Sequence, residues 1–249
     1  MFFVLGTVIG SFVNVVAIRI PRGESVVHPP SHCMSCGRRL YALDLIPVLS
    51  YVIRRGRCGY CGERFSPVYA WIELGTGLLF MNAAWMIGPA PELIIACVFL
   101  AVLVTITLTD LRHMIIPNKV IFFAVFSTVI LRLFIHDLPW YDYVIGMVSV
   151  SGLLLFIGLL KPEAMGGGDM KLFAYIGLVL GWKLTLLTLM LASSIGLVLS
   201  VILSIFRGGF ASLKRPIPFG PYIAIGAWVA YSFGEDIWHR YMSLIMMID

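Results

Sequence analysis

The sequence predicts an all-α polytopic membrane protein with about eight transmembrane helices and a small zinc-ribbon-like loop after the first helix. Of its 249 residues, 60% are hydrophobic and only 12% are charged, about half of the roughly 25% usual in soluble domains. Apolar runs repeatedly approach the roughly 20 residues that a helix needs to cross a bilayer. Four of the five cysteines lie in one polar loop. A soluble helical core would need polar helix faces, which these runs lack.

The apolar runs predict eight spans, at residues 1–18, 69–87, 93–110, 120–135, 143–160, 171–187, 189–206 and 219–235. The first run has no basic residue ahead of it and no small-residue cleavage pattern near its end, so we interpret it as a retained span. The sixth and seventh spans are divided at Gly181-Trp182-Lys183, where the turn signal is weak. The number of spans supports the division. With one span there instead of two, the basic segment that follows would lie on the outer side of the membrane.

The distribution of charge predicts the orientation. With the N-terminus outside, the loops 19–68, 111–119, 161–171 and 207–218 face the cytoplasm and hold 15 of the 18 basic residues. This imbalance is what the positive-inside rule describes. The net charge of +5 is therefore a signal of topology and not a nucleic-acid surface. The basic cluster at 207–215 also favours contact with anionic lipid.

Only one loop is long enough to form a domain, which gives a predicted division into three parts. Residues 1–18 form the first transmembrane helix, residues 19–68 form a cytoplasmic zinc-binding domain with four cysteine ligands, and residues 69–249 form a seven-helix core. Because the other loops are short, function must lie in this loop or at the membrane interface.

The cysteines of this loop have the spacing of a tetrathiolate zinc site. Cys33 and Cys36 form one C-x2-C pair, and Cys58 and Cys61 form a second after 21 residues. Each pair places two thiolates on one side of a tight turn, and two such turns complete a tetrahedron around zinc. A closed site with four thiolates has no open coordination position. The predicted zinc is therefore structural, and it stabilises a loop with little apolar content.

Other interpretations of the cysteines are weaker. Two structural disulfides are disfavoured in a reducing cytoplasmic loop, and nothing around the C-x2-C pairs resembles a thioredoxin-like redox motif. His28 and His32 precede the first pair and are alternative ligands, although four thiolates suffice. Cys97 falls inside a span, where a small buried apolar residue is the simplest interpretation.

Two aspartates mark a candidate catalytic site. Asp110 ends the third predicted span and Asp169 opens the sixth, so both lie at the cytoplasmic edge of the membrane. An ionisable residue at such a position is a functional candidate. Two carboxylates that lie close together do not both ionise readily, so one keeps its proton. The pair then supplies a general base that activates water and a general acid that protonates a leaving amine.

Three glycines, Gly166, Gly167 and Gly168, precede Asp169. We expect the absence of a Cβ to allow a sharp turn into the span and the close approach of a substrate chain. The start of the helix also favours a carboxylate. The alternative is that Asp169 only caps its helix and that Asp110 pairs with Arg112 or Lys119.

These residues together resemble the type IV prepilin peptidase family, the GxGD class of intramembrane aspartic proteases. The resemblance covers nearly the whole chain. It includes "GSFVNVVAIRIPRGES" (10–25), the cysteine-rich loop "CMSCG…CGYCG", "TDLRHMIIPN" (109–118), "GGGDMKLFAYIGLVLGW" (166–182) and "PIPFGPYIAIG" (216–226). From the residues alone, the last of these is either an extended edge for a substrate strand or a proline-rich helix start.

The resemblance implies a multi-pass protein of the bacterial inner membrane that removes the basic leader from type IV prepilins or pseudopilins. Asp110 and Asp169 correspond to the catalytic pair. The resemblance also implies possible N-methylation of the new N-terminus with S-adenosylmethionine, for which the cytoplasmic loop and Glu73 are weak candidates. The expected partners are these substrates and the lipid bilayer, without nucleic acid.

Two functions from other classes compete with this one. Intramembrane acids and glycine breaks also mark transporters and proton channels, although the acids then usually lie near the midplane of the membrane. The second competing function is that of a non-enzymatic assembly factor that docks partners through its zinc ribbon. Replacing each aspartate by asparagine separates the three functions.

Overall fold

The computed structural model describes residues 1–161, 166–206 and 218–246. These residues are almost entirely helical and contain no strands beyond two isolated β-bridges. The α-helices are α1 (Phe2–Arg19), α2 (Leu49–Ile53), α3 (Pro67–Ile87), α4 (Glu92–His113), α5 (Asn118–Phe134), α6 (Trp140–Leu160), α7 (Gly167–Phe206) and α8 (Gly220–Met246). A short 3₁₀ helix, Ala42–Asp44, precedes α2. The predicted all-α class is confirmed.

Five of these helices are long and apolar enough to cross a membrane: α1, α3, α4, α6 and α7. Helix α5 has 17 residues, which is slightly short. Helix α8 runs to Met246, well past the predicted end at residue 235, and carries Glu235 and Asp236 in its second half. The multi-pass architecture therefore holds in the described residues, while the count of eight spans stays a prediction.

Helix α7 is two helices joined at a break. Gly181 has φ 74° and ψ 176°, a conformation that glycine adopts without steric cost and that ends an α-helix. The break gives a first segment of α7, residues 167–180, and a second segment, residues 182–206. The predicted division at Gly181 is confirmed, although the first segment ends there and not at residue 187.

The chain divides into two compact units, Met1–Thr109 and Asp110–Asp249. In the first unit, α1 packs closely on α3. A Cβ on Gly6 would lie 2.7 Å from the Thr76 carbonyl oxygen, and a Cβ on Gly10 would lie 2.9 Å from the Glu73 Cα atom. Small residues that permit such approach are typical of packed membrane helices. Towards the end of α1, the Asn14 amide donates to the Tyr69 carbonyl at 3.3 Å.

In the second unit, α6 and α7 also cross at glycines. A Cβ on Gly146 would lie 2.6 Å from the carbonyl carbon of Gly181, and a Cβ on Gly177 would overlap the carbonyl of Gly146. The two backbones are therefore in direct contact. This contact explains the two glycines better than backbone flexibility does, because neither has a positive φ.

Helix α5 contacts the first segment of α7 at both of its ends. At the start of α5, the Asn118 side chain accepts a hydrogen bond of 2.8 Å from the Lys171 ammonium. Near the end of α5, the Arg132 guanidinium donates to the Val179 carbonyl at 2.6 Å and lies 4.6 Å from the Tyr143 ring centroid. Val179 is in the last turn before the break, where helix carbonyls lack intrahelical partners. Arg132 satisfies one of them and so holds this segment in place.

The division into residues 1–18, 19–68 and 69–249 stays a prediction. The basic cluster at 207–215 and the loop residues 162–165 lie outside the described residues. So do the first two residues of the "PIPFGPYIAIG" motif.

Candidate active site

Asp110 lies in the last turn of α4 and is buried, with 7% of its surface exposed. Its Oδ2 atom accepts a hydrogen bond of 2.7 Å from the backbone N–H of Gly220, the first residue of α8. A free N–H at a helix start is a natural partner for a carboxylate. The role of Asp110 in a catalytic pair, rather than only in pairing with Arg112 or Lys119, stays a prediction.

Gly220 is a site residue that the sequence analysis missed. A Cβ at this position would lie 2.8 Å from Asp110 Oδ2 and 3.0 Å from Asp110 Cβ, so a side chain here would force Asp110 to shift. The signal was the glycine inside "PIPFGP", which we interpreted as a helix start or a strand edge. Helix α8 begins at Gly220 with Pro221 in its first turn, while an extended edge over the preceding residues stays a prediction. The contact between residues 110 positions apart could not be inferred from one sequence.

Asp169 lies in the first turn of α7. Its backbone N–H donates to the Gly166 carbonyl at 3.1 Å, and its side chain is partly exposed. The positive end of the helix dipole favours a carboxylate at this position. Asp169 thus occupies the beginning of one helix, while Asp110 occupies the end of another.

The segment after Asp110 brings the two aspartates together. Ile116 lies against Gly168, where an added Cβ would be 3.0 Å from the Ile116 Cβ atom. Two residues further on, Asn118 is bonded to Lys171. The segments "TDLRHMIIPN" and "GGGDMK" therefore contact each other on both sides of Asp169. The carboxylates of Asp110 and Asp169 lie within range of direct electrostatic repulsion.

The three glycines differ in what surrounds them. Gly168 is packed against Ile116, and a Cβ on Gly166 would lie 3.2 Å from Asp169 Oδ2, whereas a Cβ on Gly167 would meet nothing within 4 Å. None of the three has a positive φ. Close approach therefore explains Gly168, and none of the three glycines needs the left-handed backbone conformation, while the sharp turn into the span stays a prediction.

The four cysteines of the loop form one cluster. The sulfur atoms of Cys33, Cys36, Cys58 and Cys61 all lie within 4.8 Å of one another, and no two of them form a disulfide. The Cys33 and Cys61 sulfurs are 3.8 Å apart. A tetrahedron with zinc–sulfur bonds of about 2.3 Å has edges of about 3.8 Å. The donor set and its spacing therefore fit a metal such as zinc, and two structural disulfides do not fit.

The cluster is built from two equivalent turns. The Cys33 N–H donates to the Arg38 carbonyl at 2.9 Å, and the Cys58 N–H donates to the Glu63 carbonyl at 2.7 Å. An isolated bridge closes each turn, joining His32 to Arg39 in the first and Arg57 to Arg64 in the second. His32 Nδ1 lies 3.0 Å from the Pro30 carbonyl oxygen, and neither histidine belongs to the cysteine cluster.

Backbone N–H groups favour the thiolate form at one of these cysteines. The N–H groups of Cys36 and Ser35 lower the pKa of the Cys33 thiol from 9.0 to about 6. A metal ligand must be deprotonated, and a lowered pKa reduces the free energy needed to remove the proton at neutral pH.

Glu73 has a contact that the sequence could not specify. Its Oε2 atom accepts a hydrogen bond of 2.7 Å from the backbone N–H of Val48, which precedes α2 and has φ 60°. A positive φ is strained for a β-branched residue. Glu73 therefore fixes the start of α2 on the side of α3.

These features define a class of protein: a helical membrane protein with two neighbouring aspartates at helix ends and a loop of four clustered cysteines. Residues 4–87 match the model of the bacterial peptidase A24 N-terminal domain, and residues 97–201 match the model of the type IV leader peptidase family. No solved structure matches the chain.

Full-length relatives give the same result. The prepilin leader peptidase/N-methyltransferase of Bacillus subtilis (strain 168) is 34% identical over 244 residues, which is 98% of each chain. The protein of that name from Pseudomonas putida is 33% identical over 97% of this chain and 93% of its own. The one from Aeromonas salmonicida (strain A449) is 32% identical over 98% and 94%. The chain belongs to the type IV leader peptidase family.

Proposed function

We propose that this protein is a membrane aspartic endopeptidase that removes the basic leader from type IV prepilins or pseudopilins. The observation that carries the proposal is the approach of Asp110 and Asp169, which lie 59 residues apart in the sequence and within electrostatic range in the structure. Membership of the family supplies the substrate class. The approach of two acids at helix ends also favours a peptidase over a transporter, whose acids usually lie near the midplane.

The two aspartates differ in their surroundings. Asp110 is buried and held by the Gly220 N–H, whereas Asp169 is partly exposed. In the proposed reaction, the ionised aspartate of the pair takes a proton from water, and the oxygen of that water attacks the peptide carbonyl. The protonated aspartate donates a hydrogen bond to the carbonyl oxygen. The leaving amine then receives a proton as the C–N bond breaks.

We further propose that the N-terminus lies outside and that the aspartates and the cysteine loop face the cytoplasm. The distribution of basic residues supports this orientation. A prepilin has a basic leader followed by an apolar helix, so its junction lies at the cytoplasmic surface of the bilayer. The aspartates would meet the junction there.

The relatives' names include N-methyltransferase, and we propose that the new N-terminus is methylated with S-adenosylmethionine. The loop 19–68 and Glu73 are the candidate site for the methyl donor. The fixed position of Glu73 beside Val48 supports a site where α2 meets α3. We also propose that the metal of the cysteine cluster is zinc and that it has a structural role, because four thiolates leave no open position for a substrate.

One assay tests both activities. The purified full-length protein in detergent is incubated with a prepilin-like substrate, with and without S-adenosylmethionine, and the products are identified by mass spectrometry. Cleavage after the leader and addition of one methyl group only when the methyl donor is present are expected. Intact substrate with a folded, zinc-loaded enzyme would contradict the peptidase proposal, and cleavage without methylation would contradict only the second activity.

Replacing Gly168 by alanine is expected to lower the rate of cleavage about tenfold. The new Cβ would lie 3.0 Å from Ile116, so the start of α7 must shift by a few tenths of an ångström, and misplacement of catalytic groups by 1 Å can cost about 100-fold. Gly167→Ala is the matched control, since its Cβ would meet nothing. The initial cleavage rates of the two variants test this prediction. Equal losses of rate in Gly168→Ala and Gly167→Ala would contradict the packing argument.

A further inference from the structure

A second candidate site lies in the loop between α1 and α3, within the first compact unit. It is a cavity of about 550 Å³, a size within the range of small-molecule sites. The cavity is strongly basic, because four arginines line it: Arg54, Arg55, Arg57 and Arg64. The proposed peptidase chemistry does not use these residues, and Glu73, the candidate residue for the methyl donor, does not line the cavity.

The positive charge of this cavity is largely uncompensated. Arg54 forms an ion pair with Asp44. Within the described residues, Arg55, Arg57 and Arg64 form no ion pair. Arg57 and Arg64 also lie opposite each other in the antiparallel bridge of the second cysteine turn, and like charges in that arrangement repel. An anion bound between them would remove the repulsion. Arginine forks bind phosphate with particular strength.

The position of the cavity relative to α3 indicates its depth. Pro67, the first residue of α3, forms part of the cavity wall. The start of α2 is bonded to Glu73, six residues or about 9 Å further along the helix. Helix α2 therefore begins beside the first two turns of an apolar span. This is the level at which α3 enters the membrane, where phospholipid headgroups lie.

Helix α2 itself is suited to a lipid surface. Three of its five residues are large, apolar and exposed: Leu49 by 52%, Val52 by 65% and Ile53 by 70%. The same helix supplies Tyr51 to the cavity wall, and Arg54 and Arg55 follow directly. Apolar side chains beside arginines are the pattern of a segment that lies in the membrane interface.

We propose that the cavity binds the phosphate of an anionic phospholipid headgroup, while the apolar side chains of α2 rest against the glycerol and acyl region of the same lipid. The arginines supply the attraction for the phosphate and for the net negative charge. The exposed face of α2 supplies contacts that a free phosphate ion cannot use. The site would anchor the cysteine loop to the membrane surface next to α3.

Native mass spectrometry of the full-length, zinc-loaded protein tests this site. The protein in mild detergent is mixed with equal amounts of phosphatidylglycerol and phosphatidylcholine. We expect one phosphatidylglycerol to be retained per chain, with a preference of about tenfold or more over phosphatidylcholine, because each arginine near an anionic headgroup contributes appreciably. The double variant Arg57→Gln, Arg64→Gln is expected to lose this preference.

The first cysteine turn supplies a control substitution for the second. Arg39 occupies the position that corresponds to Arg64 but does not line the cavity, so Arg39→Gln removes one positive charge outside the cavity and should keep the preference. Zinc content checks that every variant is folded. The proposal is overturned if phosphatidylcholine is retained equally, or if Arg39→Gln lowers retention as much as the double variant. It is also overturned if inorganic phosphate displaces the lipid, since the site would then take the free ion.

Discussion

Asp110→Asn and Asp169→Asn each abolish cleavage of a prepilin-like substrate, with an expected loss of about 1000-fold or more. Asparagine has the size of aspartate but neither accepts a proton from water nor donates one to a leaving amine, and general acid–base catalysis contributes about 10² to 10⁴. Because the two groups act as a pair, the double variant should be no slower than either single variant. Quantitative mass spectrometry of the released leader measures all three rates.

The fold should survive these substitutions. At position 110 the asparagine carbonyl oxygen can still accept the hydrogen bond from the Gly220 N–H that Asp110 accepts at 2.7 Å. Asp137→Asn is the matched control, because Asp137 is exposed and lies far along the chain from both site segments. Unchanged cleavage in all variants would contradict the aspartate pair. Unchanged function in a cell-based pilus or secretion assay would favour an assembly factor.

Removal of the proposed zinc is expected to unfold the cysteine loop and to leave the membrane helices folded. We expect wild type to contain about one zinc per chain and Cys58→Ser to contain little, because the Cys58 side chain is buried within the cluster and a single lost thiolate opens the site. Zinc binding contributes about 10–16 kcal/mol to the folding of small zinc domains. Residues 19–68 have little apolar core to replace it.

Two measurements follow the loss of zinc. Elemental analysis gives the metal content, and trypsin digestion reports unfolding, since the loop is rich in arginine. Cys97→Ser is the control, because Cys97 lies in α4 outside the cluster. A wild-type protein that lacks metal but resists trypsin, or whose resistance is lost on reduction alone, would contradict a metal site and favour disulfides.

The helices were predictable because the bilayer imposes a local rule. A membrane span must satisfy its own backbone hydrogen bonds and present apolar side chains, so runs such as 93–110 are visible without tertiary information. The break at Gly181 was placed from the parity of the spans and the distribution of charge. The exact position of the break was not predictable, because the φ of Gly181 depends on its contact with α6.

The cysteine cluster was also predictable, since two C-x2-C turns specify a metal site through their own geometry. The contact between Glu73 and Val48 was not predictable. It joins a membrane helix to a loop residue with a strained backbone, and neither the charge of Glu73 nor its position in an apolar run indicates which amide it meets.

By itself, the sequence determined the all-helical membrane class, the thiolate set and the two aspartates, because each depends on residue type and on spacing along the chain. The tertiary structure alone decided which groups meet. It placed Gly220 against Asp110, Ile116 against Gly168, and four arginines around one cavity. Such contacts depend on helix packing at distances of a few ångströms, where the presence or absence of one Cβ determines what fits.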